Sequence, residues 1–210
     1  LALEPLSSRE KILDVSEALF ARRGFAGVGL REVADAAGLR KSSLFHHFRS
    51  KTQLYYEVLG RVLGRIQLHV APVFESRRAA LQRLDQLVDA LVDALAEDPT
   101  AARLLLRALF EEDRFPAEPG AEAEECERRL AEILQGIRCL LREGVEAGAF
   151  HRVSVAHTIQ TLIGAIVFHF ASGEFGESLL GRPVLSAEAV SRRKQELKNL
   201  LHRGIAAAPA

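Results

Sequence analysis

The densest chemistry in the sequence lies between residues 40 and 51. From Arg40 through Lys41, Ser42, Ser43, Phe45, His46 and His47, every polar side chain can donate a hydrogen bond and none is acidic. Donors with no carboxylate among them suit the oxygens of a phosphate backbone and the acceptor edges of bases in a DNA major groove. Faces that only meet water usually mix both signs of charge, so this run points to nucleic acid. Arg40 has the reach and the fork to hold a guanine through two hydrogen bonds, and Phe45 offers an apolar surface to a thymine methyl or a sugar. Lys51 stands at the start of the next helix, where free backbone N–H groups favour an anion, and is expected to hold a phosphate there. Arg31 completes the set expected to face DNA.

Other chemistry is sparse. His157 and His169 are twelve residues apart on one predicted helix, about 120° around its axis, so they do not converge as metal ligands four residues apart would. Glu111, Glu112 and Asp113 form a carboxylate cluster, but at a helix end beside a loop. The sequence has no Gly-rich phosphate loop, nucleophile elbow or CxxC pair. The expectation is a protein that is not an enzyme, holds no metal and needs no cofactor. Cys126 and Cys139 point to separate faces of one helix and read as two small buried thiols in a reducing cytosol. Leu1 to Leu6 has no basic segment of the kind that opens a secretory signal, and the expected location is cytoplasmic. The longest apolar region, Ile159 to Phe170, is broken by Gln160, Thr161 and His169, so no membrane partner is expected.

The donor run needs a scaffold, and the stretch from Leu30 to Lys51 supplies one. It reads as two short helices joined by a tight turn, a helix-turn-helix that sets its second helix into the major groove. Ala34 is small enough for a crossing helix to approach, Gly38 supplies the left-handed backbone of the turn, and Leu44 packs the second helix down. Ser7 and Glu10 form a capping box ahead of an earlier helix with an apolar face of Ile12, Val15, Leu19 and Phe20. Ser50 and Gln53 form another, opening a long linking helix expected to end before Pro72. Further helices follow, one with its N-cap and first position at Asp98 and Pro99, with a loop at residues 114–120. The segment Ala156 to Phe170 is apolar on almost every side and is expected to be covered all round. No stretch alternates with period two for long enough to be a strand. The expected fold is all-α: a three-helix DNA-binding domain at residues 1–52, then a larger helical ligand-binding and dimerisation domain at 53–210. Formal charge is zero overall, yet residues 1–52 hold nine Lys and Arg against six acids. The excess of positive charge therefore sits where the donor run is.

Between Arg9 and Leu59 the chain resembles the TetR family of transcriptional regulators. The resemblance is carried by Leu19-Phe20-Ala21-Arg22-Arg23-Gly24-Phe25, Leu30-Arg31-Glu32-Val33-Ala34, Ala37-Gly38-Leu39, Ser43-Leu44-Phe45-His46-His47-Phe48 and Ser50-Lys51. It implies a homodimer that binds a palindromic DNA operator and releases it when a small-molecule effector binds, most often as a repressor. His46 resembles the family's backbone contact. Three positions depart from the family pattern: Arg40 and Gly29 replace the usual hydroxyl caps, and Phe45 stands where Tyr is common. By resemblance the last two helices form a four-helix dimer interface; Gly164 and Ala165 permit close approach, and a seam of Val190, Leu197, Leu201 and Ile205 needs a partner or an intrachain core. Candidates for the effector pocket are Arg107, Phe110, His157, Thr161, Phe168 and His169. Two other readings stay open: a regulator or activator that needs no ligand, and an all-helical enzyme or small-molecule-binding protein that does not bind DNA.

The role given to Arg40 has a direct test. Arg40→Ala should relax the preference at one base position per half-site at a cost of about 1–3 kcal/mol. Binding-site selection that returns the same sequences for the variant would remove Arg40 as a base reader.

Overall fold

The computed structural model describes residues 7–98, 100–111 and 120–207, with the side chains at 110 and 111 left aside. Within them the chain is helical throughout, with one isolated antiparallel bridge between Phe150 and Ala206. The helices are α1 (Ser8–Arg23), α2 (Leu30–Ala36), α3 (Lys41–His47), α4 (Lys51–Glu75), α5 (Ala80–Ala96), α6 (Ala101–Glu111), α7 (Ala121–Glu146), α8 (Val155–Ala171), α9 (Glu174–Leu180) and α10 (Ala187–Ile205).

Local sequence explains where the first elements begin and end. The Ser7 hydroxyl accepts the Glu10 N–H while the Glu10 carboxylate accepts the Ser7 N–H, so both halves of the capping box are present. Gly24, at φ +71°, closes α1. The turn after α2 is a Schellman motif: the Gly38 N–H reaches the Asp35 carbonyl and the Leu39 N–H the Ala34 carbonyl, with Gly38 at φ +69°. Ala34 and Leu44 are fully buried where α2 and α3 meet. At the start of α4 the Ser50 hydroxyl accepts the Gln53 N–H, but the Gln53 side chain bonds the Arg49 N–H instead of that of Ser50, leaving the box half formed.

The core is one apolar cluster running from Ile12 to Ile205. α4 is its axis. Near its start Tyr55 sits edge-on to Phe20 and Phe25, with ring centroids 5.0 and 5.2 Å apart, which fastens the three-helix head to the linking helix. Further along, Val58, Val62, Ile66 and Val70 are buried in the same cluster as Leu84, Leu87 and Val88 of α5 and Ile137, Leu140 and Leu141 of α7.

Four expectations are corrected. α4 does not stop before Pro72 but runs to Glu75. The proline removes a single N–H bond one turn from the helix end, where the neighbouring Leu68 is exposed. α8 is covered on one side only: Ile159, Leu162, Ile166, Val167 and Phe170 are buried, while Ala156, His157, Gln160, Thr161, Gly164 and Phe168 form an exposed face. The seam of Val190, Leu197, Leu201 and Ile205 packs within the chain; Leu197 is only 3% exposed. Beside it, Lys194 pairs with Asp93 and Lys198 with Asp89 of α5, both at 2.6 Å, and His202 meets Asp85 at 2.7 Å. Finally, Cys126 is buried but Cys139 is exposed. The Pro99 position and the loop at 114–120 lie outside the described residues, apart from Gly120, which caps α7. No single helix among the described residues is long and apolar enough to cross a membrane.

Because nothing lies within 4 Å of a Cβ built on Gly38, Gly38→Ala should cost only the backbone strain of a left-handed residue, about 1–2 kcal/mol. Urea unfolding should show a lower midpoint with an unchanged slope. An undiminished midpoint would mean that the turn does not need its left-handed residue.

Candidate nucleic-acid interface

α3 presents the donor run outward. Leu44 and Phe48 are fully buried and hold the helix down, which leaves Arg40, Lys41, Ser42, Phe45 and His46 exposed and Ser43 and His47 half-buried. Arg40 occupies the N-cap with extended backbone and makes no side-chain capping bond, so its guanidinium stays available. The Phe45 ring is 42% exposed, with the Lys41 Nζ 5.5 Å from its centroid. That contact places a cation and an apolar surface side by side on the reading face. His46 and His47 sit edge to face at 5.3 Å, and His47 leans on Phe48. Arg31 on α2 is 86% exposed and loosely paired with Asp35 at 4.0 Å.

Lys51 behaves differently from expectation. It is half-buried, and its Nζ lies 4.3 Å from the centre of the Phe25 ring. Its charge is turned toward the aromatic cluster under the head. The exposed cation beside the start of α4 is Arg49, which the sequence reading passed over. The signal for it was present: Arg49 directly precedes the capping Ser50, where the free N–H groups of α4 begin.

A second set of residues joins the head to the rest of the chain, Glu17 and Arg65 unforeseen from sequence and Arg107 expected only as a pocket residue. Arg107 of α6 donates from Nε to the Ala21 carbonyl and from Nη2 to the Arg22 carbonyl, both at 3.0 Å. These are among the last carbonyls of α1, so Arg107 both caps that helix and opposes its negative end. On the neighbouring side Glu17 of α1, 5% exposed, pairs with Arg65 of α4, which also pairs with Asp98 just before α6. The Thr100 hydroxyl and N–H donate to Asp98, at 2.7 and 3.0 Å, and Arg61 pairs with Asp14. Burial, with the Asp98 carboxylate beside it, raises the Glu17 pKa against the pull of Arg65. Burial would raise Asp98 too, but the Glu17 carboxyl, Thr100 and Arg65 outweigh it and bring Asp98 down to about 2. α1, α4 and the start of α6 are thus tied by one charged network.

The residues expected to line a pocket do not converge. Arg107 is committed to the carbonyls of α1. His157 is exposed and bonded to the Ser154 hydroxyl at 2.9 Å, and Thr161 is exposed. Phe168, 55% exposed, meets Phe175 edge-on, and the Phe110 side chain lies outside the described residues. Of the set, His169 borders a cavity, a cleft of about 300 Å³ against α10. A groove of about 1100 Å³ lies elsewhere, between α1, α4 and α7, bordered by Leu13, Tyr56, Leu68, Arg9, Arg61 and Arg129. Among the described residues no cluster of His, Cys, Asp and Glu is arranged to hold a metal.

Two family models match separate parts of the chain. The model of the bacterial regulatory proteins, tetR family, matches residues 12–58. The model of the tetracyclin repressor-like C-terminal domain matches residues 81–201. The HTH-type transcriptional repressor KstR2 of Mycolicibacterium smegmatis is 33% identical over 92 residues, 44% of this chain and 45% of that protein. The chain spans about half the length of the curated relatives it matches first. In fold it is similar to the ketosteroid transcriptional regulator KstR2 of Mycobacterium tuberculosis, at 24% identity and a TM-score of 0.77, covering 98% of each chain. It is also similar to AibR, solved in complex with isovaleryl coenzyme A and operator DNA, at 13% identity and a TM-score of 0.73, covering 92% of this chain and 97% of that one.

The junction makes a pH-dependent prediction. Asp98 has a folded pKa below its ordinary 3.8, so its stabilisation is present above that value and is lost as pH falls toward 2. Glu17, raised by burial, runs the other way: its contribution is present at low pH and lost as pH rises through its folded value. Asp98→Asn, which keeps an acceptor for Thr100, should lower stability clearly at pH 6 and less at pH 3. Urea midpoints showing equal deficits at the two pH values would contradict this.

Proposed function

Because this chain belongs to the TetR family of bacterial regulatory proteins, we propose that it is a ligand-responsive transcriptional regulator, acting as a repressor, that binds a palindromic operator as a homodimer through α3. The observation that carries the reading is the donor-only surface of α3, held outward by buried Leu44 and Phe48 on a helix-turn-helix whose turn is closed by Gly38. Arg40, Lys41, Ser42, Ser43, Phe45, His46 and His47 are its base and backbone contacts, with Arg31 and Arg49 as flanking cations. Lys51 supports the head from within through Phe25. We take residues 1–52 as the reading head and 53–210 as the part that binds the effector and dimerises. The protein acts in the cytoplasm and has no catalytic role; members of families of this kind are generally not enzymes.

The effector is a small organic molecule, supported by the isovaleryl coenzyme A bound to AibR and by the similarity to KstR2, a ketosteroid transcriptional regulator. We assign its seat to the groove between α1, α4 and α7, where a ligand touches the head and the bundle at once. A ligand that fits one arrangement of α1 against α4 better than another shifts the head, by its difference in affinity for the two. The network of Arg107, Glu17, Arg65 and Asp98 passes that shift on. The dimer forms through the exposed face of α8, with Gly164 and Phe168 at its centre and Ala165 at its edge. Leu200 of α10, 62% exposed, adds to it. In this arrangement the seam of Val190, Leu197, Leu201 and Ile205 supports α10 from behind.

Selection from random duplex DNA tests the proposal. Two copies of α3 reach successive major grooves only when their half-sites lie about 34 Å, one helical turn, or a multiple of it apart. Selected sequences should therefore form an inverted repeat with that spacing, and binding should weaken steeply with salt. Recovery of no common sequence, or binding insensitive to salt, would reject it.

A further inference from the structure

The cleft that His169 borders lies between the end of α8, the connection from α9 to α10 and the first turns of α10. Its charges are unevenly matched. Arg182 is paired with Glu188, and Arg192 with Glu196 at 2.7 Å. Arg193, half-buried on the same turn, has no carboxylate within ion-pairing distance among the described residues. Its Nη2 donates to the Ala165 carbonyl, and its Nε is buried with no acceptor. The Nε2 of His169 is likewise buried without a partner. Burial pulls the Arg193 pKa downward, and burial together with the Arg193 charge holds His169 neutral, down to about 4. An uncompensated guanidinium and an unbonded ring nitrogen side by side are costly to bury.

We propose that this cleft binds a carboxylate, with Arg193 as its counter-ion and His169 as its second donor. A carboxylate only accepts, and its two oxygens match the fork of a guanidinium. Neutral His169 in its Nε2–H tautomer adds a donor without adding charge. Leu180 and Ala189 form apolar walls, and about 300 Å³ suits a short organic acid. The carboxylate comes either from a free acid of that kind or from an acidic side chain of a second copy of this chain, since Leu180, 41% exposed, and the exposed Arg192 leave the rim of the cleft open. The site stands apart from the DNA-binding reading, and its test uses no DNA.

The test follows thermal unfolding of the full chain at pH 7 with sodium acetate, butyrate or benzoate against sodium chloride at equal ionic strength. A free acid should raise the midpoint of the wild type saturably. Arg193→Gln and His169→Gln should weaken the response, the former by about tenfold or more in affinity. Arg203→Gln, at an exposed cation of α10 outside the cleft, should leave it unchanged. If the acid belongs to a second copy, Arg193→Gln should instead weaken self-association by a similar factor in sedimentation across dilution, and added carboxylates should weaken that of the wild type. Either result supports the site. No response to any carboxylate together with unaltered self-association of Arg193→Gln overturns it, as does a thermal response that Arg193→Gln retains. Should Arg193→Gln not fold, Arg193→Lys keeps the charge but loses the fork, and an undiminished response in that variant overturns the proposal equally.

Discussion

Everything in this protein hangs on the buried face of α4. A helix of 25 residues spans nearly 40 Å at about 1.5 Å per residue, and here its apolar face is covered along most of that length. Tyr55 meets Phe20 and Phe25 at one end, while Val58 to Val73 lie under α5 and α7 over the rest. A rod buried at both ends transmits displacement, because a close-packed core repacks in steps and does not stretch. The charged network of Glu17, Arg65, Asp98 and Arg107 adds direction to that stiffness. Its members bond to particular carboxylates and carbonyls, so α1 cannot slide along α4 without breaking bonds that would be left unpaired in a partly buried setting.

The surface proposed to read DNA carries few bonds among the described residues, which suits that task. Arg40 makes no capping bond, Lys41 lies beside the Phe45 ring, and Arg31 holds Asp35 weakly. Side chains already committed to ion pairs would have to give them up to meet DNA. Around them the opposite holds: Gly38, Ala34, Leu44 and Phe48 fix the backbone. Half-buried Lys51, its charge over the Phe25 ring, belongs with this second group.

Local signals explain what the sequence made legible. The capping box at Ser7, the left-handed Gly38 and the spacing of Ile12, Leu19 and Phe20 are short-range effects, and each appears in the structure as read. Long-range choices were not visible. Nothing in the residues around Lys51 says that its charge turns inward, because Phe25 comes from a different segment. Arg107 read as one of the few polar groups of an apolar pocket; its partners are backbone carbonyls 85 and 86 residues away. Backbone acceptors leave no mark on the sequence. Pro72 misled for a related reason, since a proline stops a helix only where the lost N–H is needed and here the last turn continues without it.

The seam on α10 shows the limit most sharply. Hydrophobic periodicity states that one face of a helix must be covered, but not by what. Val190, Leu197, Leu201 and Ile205 satisfy that demand within the chain, and Lys194, Lys198 and His202 beside them find Asp93, Asp89 and Asp85 on α5. Acids and bases four residues apart, running in opposite directions on two helices, fix register. With that side taken, Phe168 of α8, Phe175 and Leu179 of α9 and Leu200 of α10 stay exposed, and burying them is what a second subunit would gain at this end of the chain. The contacts to α5 set the register of α10 along that helix, while burial of Leu197 and Ile205 supplies the drive that keeps the seam inside.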